Sequence, residues 1–325
     1  MLPAFNYTRP ATLKEAIAEL KTADTYIHAG GTDLLGCLHD GVFPAQKLVS
    51  LSALKNLQAI RKTADDGLSI GALTTIRTLA TAGDIADRYP VLAQAAAEVA
   101  SPQLREQGTL GGNLCQKPRC WYYRGEFDCL RKGGQTCYAL RGQNQFHCVL
   151  GGNACYIVHP SDMAPALIAL DAEVQISGPQ GERRLAVADL HVPPAEDPMR
   201  ETYLEPGEII TAIRIPAPAA GLRSSYRKVR ARQSWDFVVA GMALALVMDQ
   251  DQVKEARIVL SGAAPVPWRA QKAEEMLKDR QLTPEAATKA AEAALTEAEP
   301  LAHNAFKVPM FKGLIKEELL KHVEG

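Results

Sequence analysis

The sequence has no apolar run long enough to cross a membrane. Its longest, Phe237–Met248, has twelve residues, and a spanning helix needs about 20. It has no excess charge of either sign: 36 Lys and Arg stand against 37 Asp and Glu in 325 residues, a net charge of −1. There is then no global basic field for nucleic acid or an anionic membrane, and neither is expected as a partner. There is no GxGxxG, so a Rossmann domain is not supported. The histidines are scattered along the chain and match no HExxH. No nucleophile–base constellation stands out, and no catalytic residue is expected. Internal repeats and low-complexity tracts are lacking too. After Met1 comes neither a basic stretch nor an apolar one, so no signal peptide is expected and the cytoplasm is the expected location.

What is present reads as an ordinary folded chain with one unusual segment. Hydrophobic residues make up 47% and charged residues 22%, close to the globular average. At roughly 150 residues per domain, about two domains are expected. Thr12-Leu13-Lys14-Glu15 fits a capping box opening a helix through Leu20. Strands are expected at Tyr26–Ala29, Lys47–Leu51 and Leu68–Gly71, and helices at Leu34–Leu38, Thr74–Ala80, Pro90–Val99 and Ala164–Leu170. Gly178-Pro179-Gln180-Gly181 marks a hairpin between Glu173–Ser177 and Arg183–Val187. The Pro/Ala/Gly run Pro216–Gly221 is the candidate boundary. Beyond it come strands at Ser224–Val229, Phe237–Met248 and Glu255–Ser261. Helices at Ala270–Leu277, Pro284–Leu295 and Pro309–His322 close the chain. Both halves read as α+β.

Seven cysteines occur, and six of them (Cys115, Cys120, Cys129, Cys137, Cys148, Cys155) fall within 41 residues. The segment 114–156 around them is rich in Gly, Arg and aromatics and has no clear period. An odd count would leave a disulfide framework incomplete, and a chain of this size needs no staples. In a reducing compartment the cluster points to metal. The intervening gaps are 4, 8, 7, 10 and 6 residues, with no CxxC, so a zinc knuckle fits poorly. An iron–sulfur cluster is larger than an ion, and widely spaced thiolates on a wrapping loop can reach its corners. Arg119, Arg124, Arg131, Lys132 and Arg141 are candidates to offset the thiolate charge. Zinc and unligated thiols remain the competing readings.

Four further motifs are each weak alone. Ile27-His28-Ala29-Gly30-Gly31-Thr32-Asp33-Leu34 runs from strand to helix through two glycines and can present backbone N–H groups to a pyrophosphate. Thr109-Leu110-Gly111-Gly112-Asn113 is a second Gly-Gly turn. Both also fit a plain turn. His159-Pro160-Ser161-Asp162 places a hydroxyl and a carboxylate at a helix start, to hold a polyol or to cap. Tyr226-Arg227-Lys228-Val229-Arg230-Ala231-Arg232 is a basic strand end, either a solvated face or a source of a lysine beside a flavin.

In this order and spacing the four motifs resemble the FAD-binding medium subunit of the molybdenum hydroxylases, the xanthine dehydrogenase and carbon monoxide dehydrogenase group. The resemblance covers essentially the whole chain. It implies a VAO/PCMH-type FAD-binding domain over 1–219 and a smaller α+β C-terminal domain over 222–325. It implies that Ile27, His28, Ala29, Gly30, Gly31, Thr32, Asp33 and Leu34, with Thr109, Gly111, Gly112 and Asn113, hold the FAD diphosphate. Asp162 would bind the ribityl or diphosphate region. Ile209 or Ile210 would contact the isoalloxazine through its backbone, and Lys228 would sit near the ring edge. The insertion resembles the loop that carries an extra [4Fe–4S] cluster in periplasmic aldehyde oxidoreductase and in the 4-hydroxybenzoyl-CoA reductase β subunit. The aldehyde-enzyme pattern implies Cys120, Cys129, Cys137 and Cys155 as ligands. The benzoyl-CoA pattern uses a cysteine near Cys148 and has none near Cys129, so the fourth ligand is open between these two. The implied partners are a large molybdenum-cofactor subunit, a small subunit with two [2Fe–2S] clusters, and an external electron acceptor. A twin-arginine signal on a partner would carry the chain to the periplasm. A free-standing VAO-type oxidase and a cofactor-poor scaffold subunit are the alternatives.

Overall fold

The computed structural model describes residues 2–233 and 235–323. The chain opens with a small parallel sheet in which Lys47–Ser50 lies between Asn6–Thr8 and Thr25–His28. The helix Leu13–Glu19 covers it. Its capping box is complete: Glu15 N donates to Thr12 Oγ1 at 3.2 Å, and Thr12 N donates to the Glu15 carboxylate at 3.2 Å. The second sheet is antiparallel, in the order Ile60–Lys62, Leu68–Gly71, Ile209–Ile215, Glu173–Gly178, Gly181–Ala186. Its two halves come from either side of residues 72–172.

The third sheet is a meander of Leu222–Val229, Ala240–Asp249 and Gln252–Ser261, with Trp268–Arg269 and Arg280–Gln281 both on the last long strand. Helices Gln271–Leu277, Pro284–Ala294 and Lys307–Leu320 pack with it around a separate apolar core. The two halves are joined by buried surface. All seven residues of the helix Met163–Ala169 are buried, and it packs on strands Ala240–Asp249 and Gln252–Ser261. Burying Leu167 or Ile168 there contributes about 1.5–3 kcal/mol each. The helix Pro90–Glu98 packs on the strand Leu222–Val229, where Tyr226 N donates to Gln94 Oε1 at 2.8 Å. The mixed α and β architecture, a larger N-terminal part followed by a smaller C-terminal one, is the fold class expected from the sequence. Among the described residues no helix is long and apolar enough to cross a membrane.

Three local readings are corrected. Thr109–Asn113 is not a plain turn. Thr109 caps the short helix Leu110–Leu114, with Gly112 N donating to its Oγ1 at 3.2 Å. The expected strand from Phe237 begins at Ala240; Phe237 instead reaches the mouth of a cleft. The segment 114–156 is not structureless. It is a chain of single helical turns, Trp121–Arg124, Leu130–Lys132 and Tyr138–Leu140. Cys120, Cys129 and Cys137 each stand in extended backbone at the start of one of them. Periodicity does not reveal elements one turn long.

Candidate cofactor site

A cleft of about 880 Å3 opens between the Gly-Gly motifs and the strand Leu222–Val229, within the ~300–1,000 Å3 range of ligand sites. Its floor is backbone. Gly30 packs so closely on the turn after helix Pro102–Gln107 that a Cβ would lie 1.9 Å from Gln107 O. Gly31 has φ +72, a conformation side chains rarely adopt. The first glycine is thus demanded by the chain's own second loop, and the second by the turn. The motifs are tied from below as well: Ser161 Oγ accepts from Ala164 N at 2.9 Å and bonds Asn113 Oδ1. Ser161 caps the helix and leaves Asp162 free for another task.

Asp162 is buried at the cleft wall. Tyr226 OH donates to its Oδ1 at 2.7 Å, and Lys228 Nζ donates to its Oδ2 at 2.8 Å. The Lys228 ammonium also donates to Glu98 O at 3.1 Å, which uses two of its three N–H groups. Burial and the adjacent Asp162 charge push the Tyr226 hydroxyl well above its ordinary range, so it stays a donor. A lysine held this way presents a fixed positive charge at the cleft. The cleft lining is also aromatic, with Phe43, Trp235 and Phe237, and the Arg119 guanidinium lies over Phe237, 4.8 Å from the ring centre.

The comparisons decide what this cleft belongs to. The family described as "FAD binding domain in molybdopterin dehydrogenase" matches residues 3–121 and 143–218, and the family described as "CO dehydrogenase flavoprotein C-terminal domain" matches 224–322. The chain belongs to the FAD-binding medium subunits of the molybdenum hydroxylases. It is 36% identical over 316 residues to the aldehyde oxidoreductase FAD-binding subunit PaoB of Escherichia coli strain K12, covering 96% of each chain. It is 28% identical over 304 residues to the carbon monoxide dehydrogenase medium chain of Hydrogenophaga pseudoflava, covering 92% of this chain and 88% of that one. Its fold superposes on quinoline 2-oxidoreductase from Pseudomonas putida 86 with a TM-score of 0.77 at 26% identity, covering 100% of this chain and 99% of that one.

In this FAD-binding subunit, Ile27, Ala29, Gly30, Gly31, Thr32, Asp33 and Leu34 all line the cleft, as do Thr109, Gly111, Gly112, Asn113, Asp162, Ile209, Ile210 and Lys228. His28 does not. Its ring stands edge-on to Tyr7, 5.9 Å away. Asp33 lines the cleft, but its carboxylate is already engaged. It accepts from Lys117 N and Arg124 Nη2 at 2.7 Å each, and pairs with Arg119 Nη2 at 2.9 Å. Sequence reasoning missed Lys117 and Arg119 as cleft residues; it assigned Arg119 to the thiols. Arg119 Nε is buried with no hydrogen-bond partner among the described residues. Trp235, Phe237 and Arg232 at the rim carried no signal beyond a basic run.

The first family match stops at 121 and resumes at 143, so Cys129 and Cys137 lie outside it. A second, tight void of about 20 Å3 is lined by Cys120, Cys129, Cys137 and Cys155, with Arg131 and His147. Neither Cys115 nor Cys148 lines it. Cys137 and Cys155 hydrogen-bond one another. Cys120 Sγ accepts from Tyr122 and Tyr123 N–H, Cys137 Sγ from Ala139, Leu140 and Tyr156 N–H, and Cys155 Sγ from Ile157 N–H. The Cys155 bond holds the Cys137 thiol down at about 6, whereas burial pushes Cys120 up to about 11, and Cys115 and Cys148 up to about 12. Among the described residues no three His, Cys, Asp or Glu side chains converge on a single metal ion. Of the five basic residues expected to offset the thiols, Arg131 alone borders the void. Arg119 and Arg124 pair with Asp33, Lys132 donates to Gly125 O at 2.7 Å, and Arg141 is exposed.

The segment is gripped from the C-terminal domain. Asn304 Nδ2 donates to His147 O at 3.1 Å and Cys148 O at 2.9 Å. The fully buried Lys307 amine donates to His147 O at 3.0 Å and to Gly262 O, and burial brings it down to about 8. Cys148 therefore serves a backbone joint, with Leu150 N and Val149 N both donating to Ala263 O.

Proposed function

We propose that the chain is the FAD- and [4Fe–4S]-containing electron-transfer subunit of a heterotrimeric molybdenum-cofactor oxidoreductase. In this reading residues 1–219 form the PCMH-type domain and 222–325 the C-terminal domain. Electrons come from a small [2Fe–2S] subunit, substrate chemistry sits on a large molybdenum subunit, and an external acceptor takes the electrons. The observation that carries it is the pairing of two unlike sites. One is the flavin cleft the family shares. The other is a set of four thiols around one void, two of which, Cys129 and Cys137, lie in the stretch the family match omits.

The residues present fit both groups. The cleft offers main-chain N–H groups at Gly30–Leu34 to a diphosphate, the closely approachable backbone of Gly111 and Gly112 beside them, and the Asp162-anchored Lys228 ammonium to the flavin. Ile209 and Ile210 form part of its apolar wall. For the cluster, the void offers Cys120, Cys129, Cys137 and Cys155, three of them with N–H donors already on sulfur. Cys129 rather than Cys148 is the fourth ligand in this reading, because it lines the void. When bound, FAD and the cluster supply the redox chemistry, and the protein places and tunes them. The chain's own contribution is to fix Lys228 against Asp162 and to hold the four thiols around one void.

The test is the chain purified anaerobically with its partners, with flavin, iron and zinc measured per polypeptide. One FAD and four irons on this subunit are expected. Flavin without iron would reduce the cysteine segment to a structural element. Neither group would contradict the whole reading.

A further inference from the structure

Arg131 has a feature that the cluster alone does not explain. Its side chain is only 3% exposed, an unusual fate for a guanidinium. Nη2 is fully used: it donates to Arg200 O at 3.0 Å and to Glu201 Oε1 at 3.1 Å. Nε and Nη1 are buried and have no partner among the described residues. A buried charged donor left unmade is costly, and this one forms part of the wall of the cysteine void. On the far side, Glu201 bonds the Lys117 ammonium, and Lys117 lines the flavin cleft. The result is a row of cation, anion, cation, running from one site to the other.

We propose that Arg131 is a positioning and tuning residue for the cluster. Its Nε–H and Nη1–H donate to the cluster's sulfurs, and Glu201 holds the guanidinium in place. This rests on the cluster reading above. Reduction adds one electron, and so one negative charge, to the cluster, while the external reductant is oxidised. A fixed cation with two N–H donors stabilises the reduced form over the oxidised one, so Arg131 raises the potential. It acts on the equilibrium and not on substrate.

The experiment is an anaerobic dithionite titration of the whole complex, followed by electron paramagnetic resonance of the cluster, with iron counted in parallel. Wild type, Arg131→Lys and Arg131→Met are compared. At the wild-type midpoint, Arg131→Met should hold full iron and show at least a tenfold lower reduced-to-oxidised ratio, about 59 mV for one electron. Arg131→Lys keeps the charge but loses the fork, and its ratio should fall by less. Full iron with an unchanged ratio in Arg131→Met would overturn the proposal. So would loss of iron from both variants, since Arg131 would then be holding the loop rather than tuning the cluster. A wild-type chain without iron would overturn the cluster reading first, and this proposal with it.

Discussion

The flavin cleft is wide and takes its walls from distant parts of the chain, Thr25–Leu34, Gly108–Arg119, Leu204–Ile210 and Lys228–Phe237 among them. The cysteine void is tight, and residues 120–157 alone line it. The cleft is shaped by backbone that regular elements hold still. The void is shaped by side chains on single helical turns, and its cysteine-bearing loop is kept in place by clamps from outside: Asp33 on Arg119 and Arg124, Glu201 on Arg131, and Asn304 and Lys307 on the His147 and Cys148 carbonyls. A site made by a scaffold can be shared across a family. A site made by an inserted loop has to be built into the scaffold at several points. Asp33 is one such point. It belongs to the flavin motif, yet all three of its donors come from Lys117–Arg124.

The largest effect that separates the two regions is expected at the thiols. Cys137→Ser should abolish iron binding while flavin content stays near one per chain. Loss of both together would show that the regions do not fold apart. Gly30→Ala is the converse. Its Cβ would collide with Gln107 O, and overpacking of this kind costs about 1–3 kcal/mol. Flavin affinity should drop tenfold or more, with iron unchanged. Asp33→Asn sharpens the link between them. Its carboxylate is only partly buried, so the loss is closer to that of charged hydrogen bonds, about 1.5–3 kcal/mol. Limited proteolysis within 117–132 should quicken and flavin affinity should fall in the same variant. A response at one site only would mean that Asp33 does not couple them.

A smaller, pH-dependent effect belongs to the ground between the two sites. His159 and His191 are buried ring to ring, with centroids 4.1 Å apart. Burial holds His191 down at about 4 and His159 well below its ordinary value. The folded state therefore keeps both neutral. Their contribution is fully present above pH 6.5, the unfolded value, and is lost as pH falls toward 4, because the unfolded chain binds protons the folded chain does not. For His191 this is on the order of 3 kcal/mol. Urea midpoints should fall steadily from pH 6.5 to pH 4, and His191→Gln should flatten that slope.

Much of the flavin region was legible because its signals are local. The capping box at Thr12, the hairpin at 178–181 and the two Gly-Gly motifs each act over a few residues, and the structure keeps them close to where the sequence places them. His28 was misplaced because its ring packs against Tyr7, a contact that the motif itself does not announce. Arg119 and Lys117 were missed because their partners lie some 84 residues back in sequence, a distance no local pattern spans. In the cysteine segment, composition pointed to chemistry but not to geometry. Cys148 is left off the void while Asn304 and Lys307 hold the His147 and Cys148 carbonyls to the C-terminal domain, and nothing near Cys148 announces that.

The most direct test of two distinct sites in one chain is the low-temperature Mössbauer spectrum of the protein grown on 57Fe, with Cys129→Ser and Cys148→Ser beside it. The account predicts a single [4Fe–4S] signal in the wild type, retained in Cys148→Ser and lost in Cys129→Ser, with flavin retained in all three. A signal that survives in Cys129→Ser and disappears in Cys148→Ser would contradict it, as would a wild-type chain with no cluster signal.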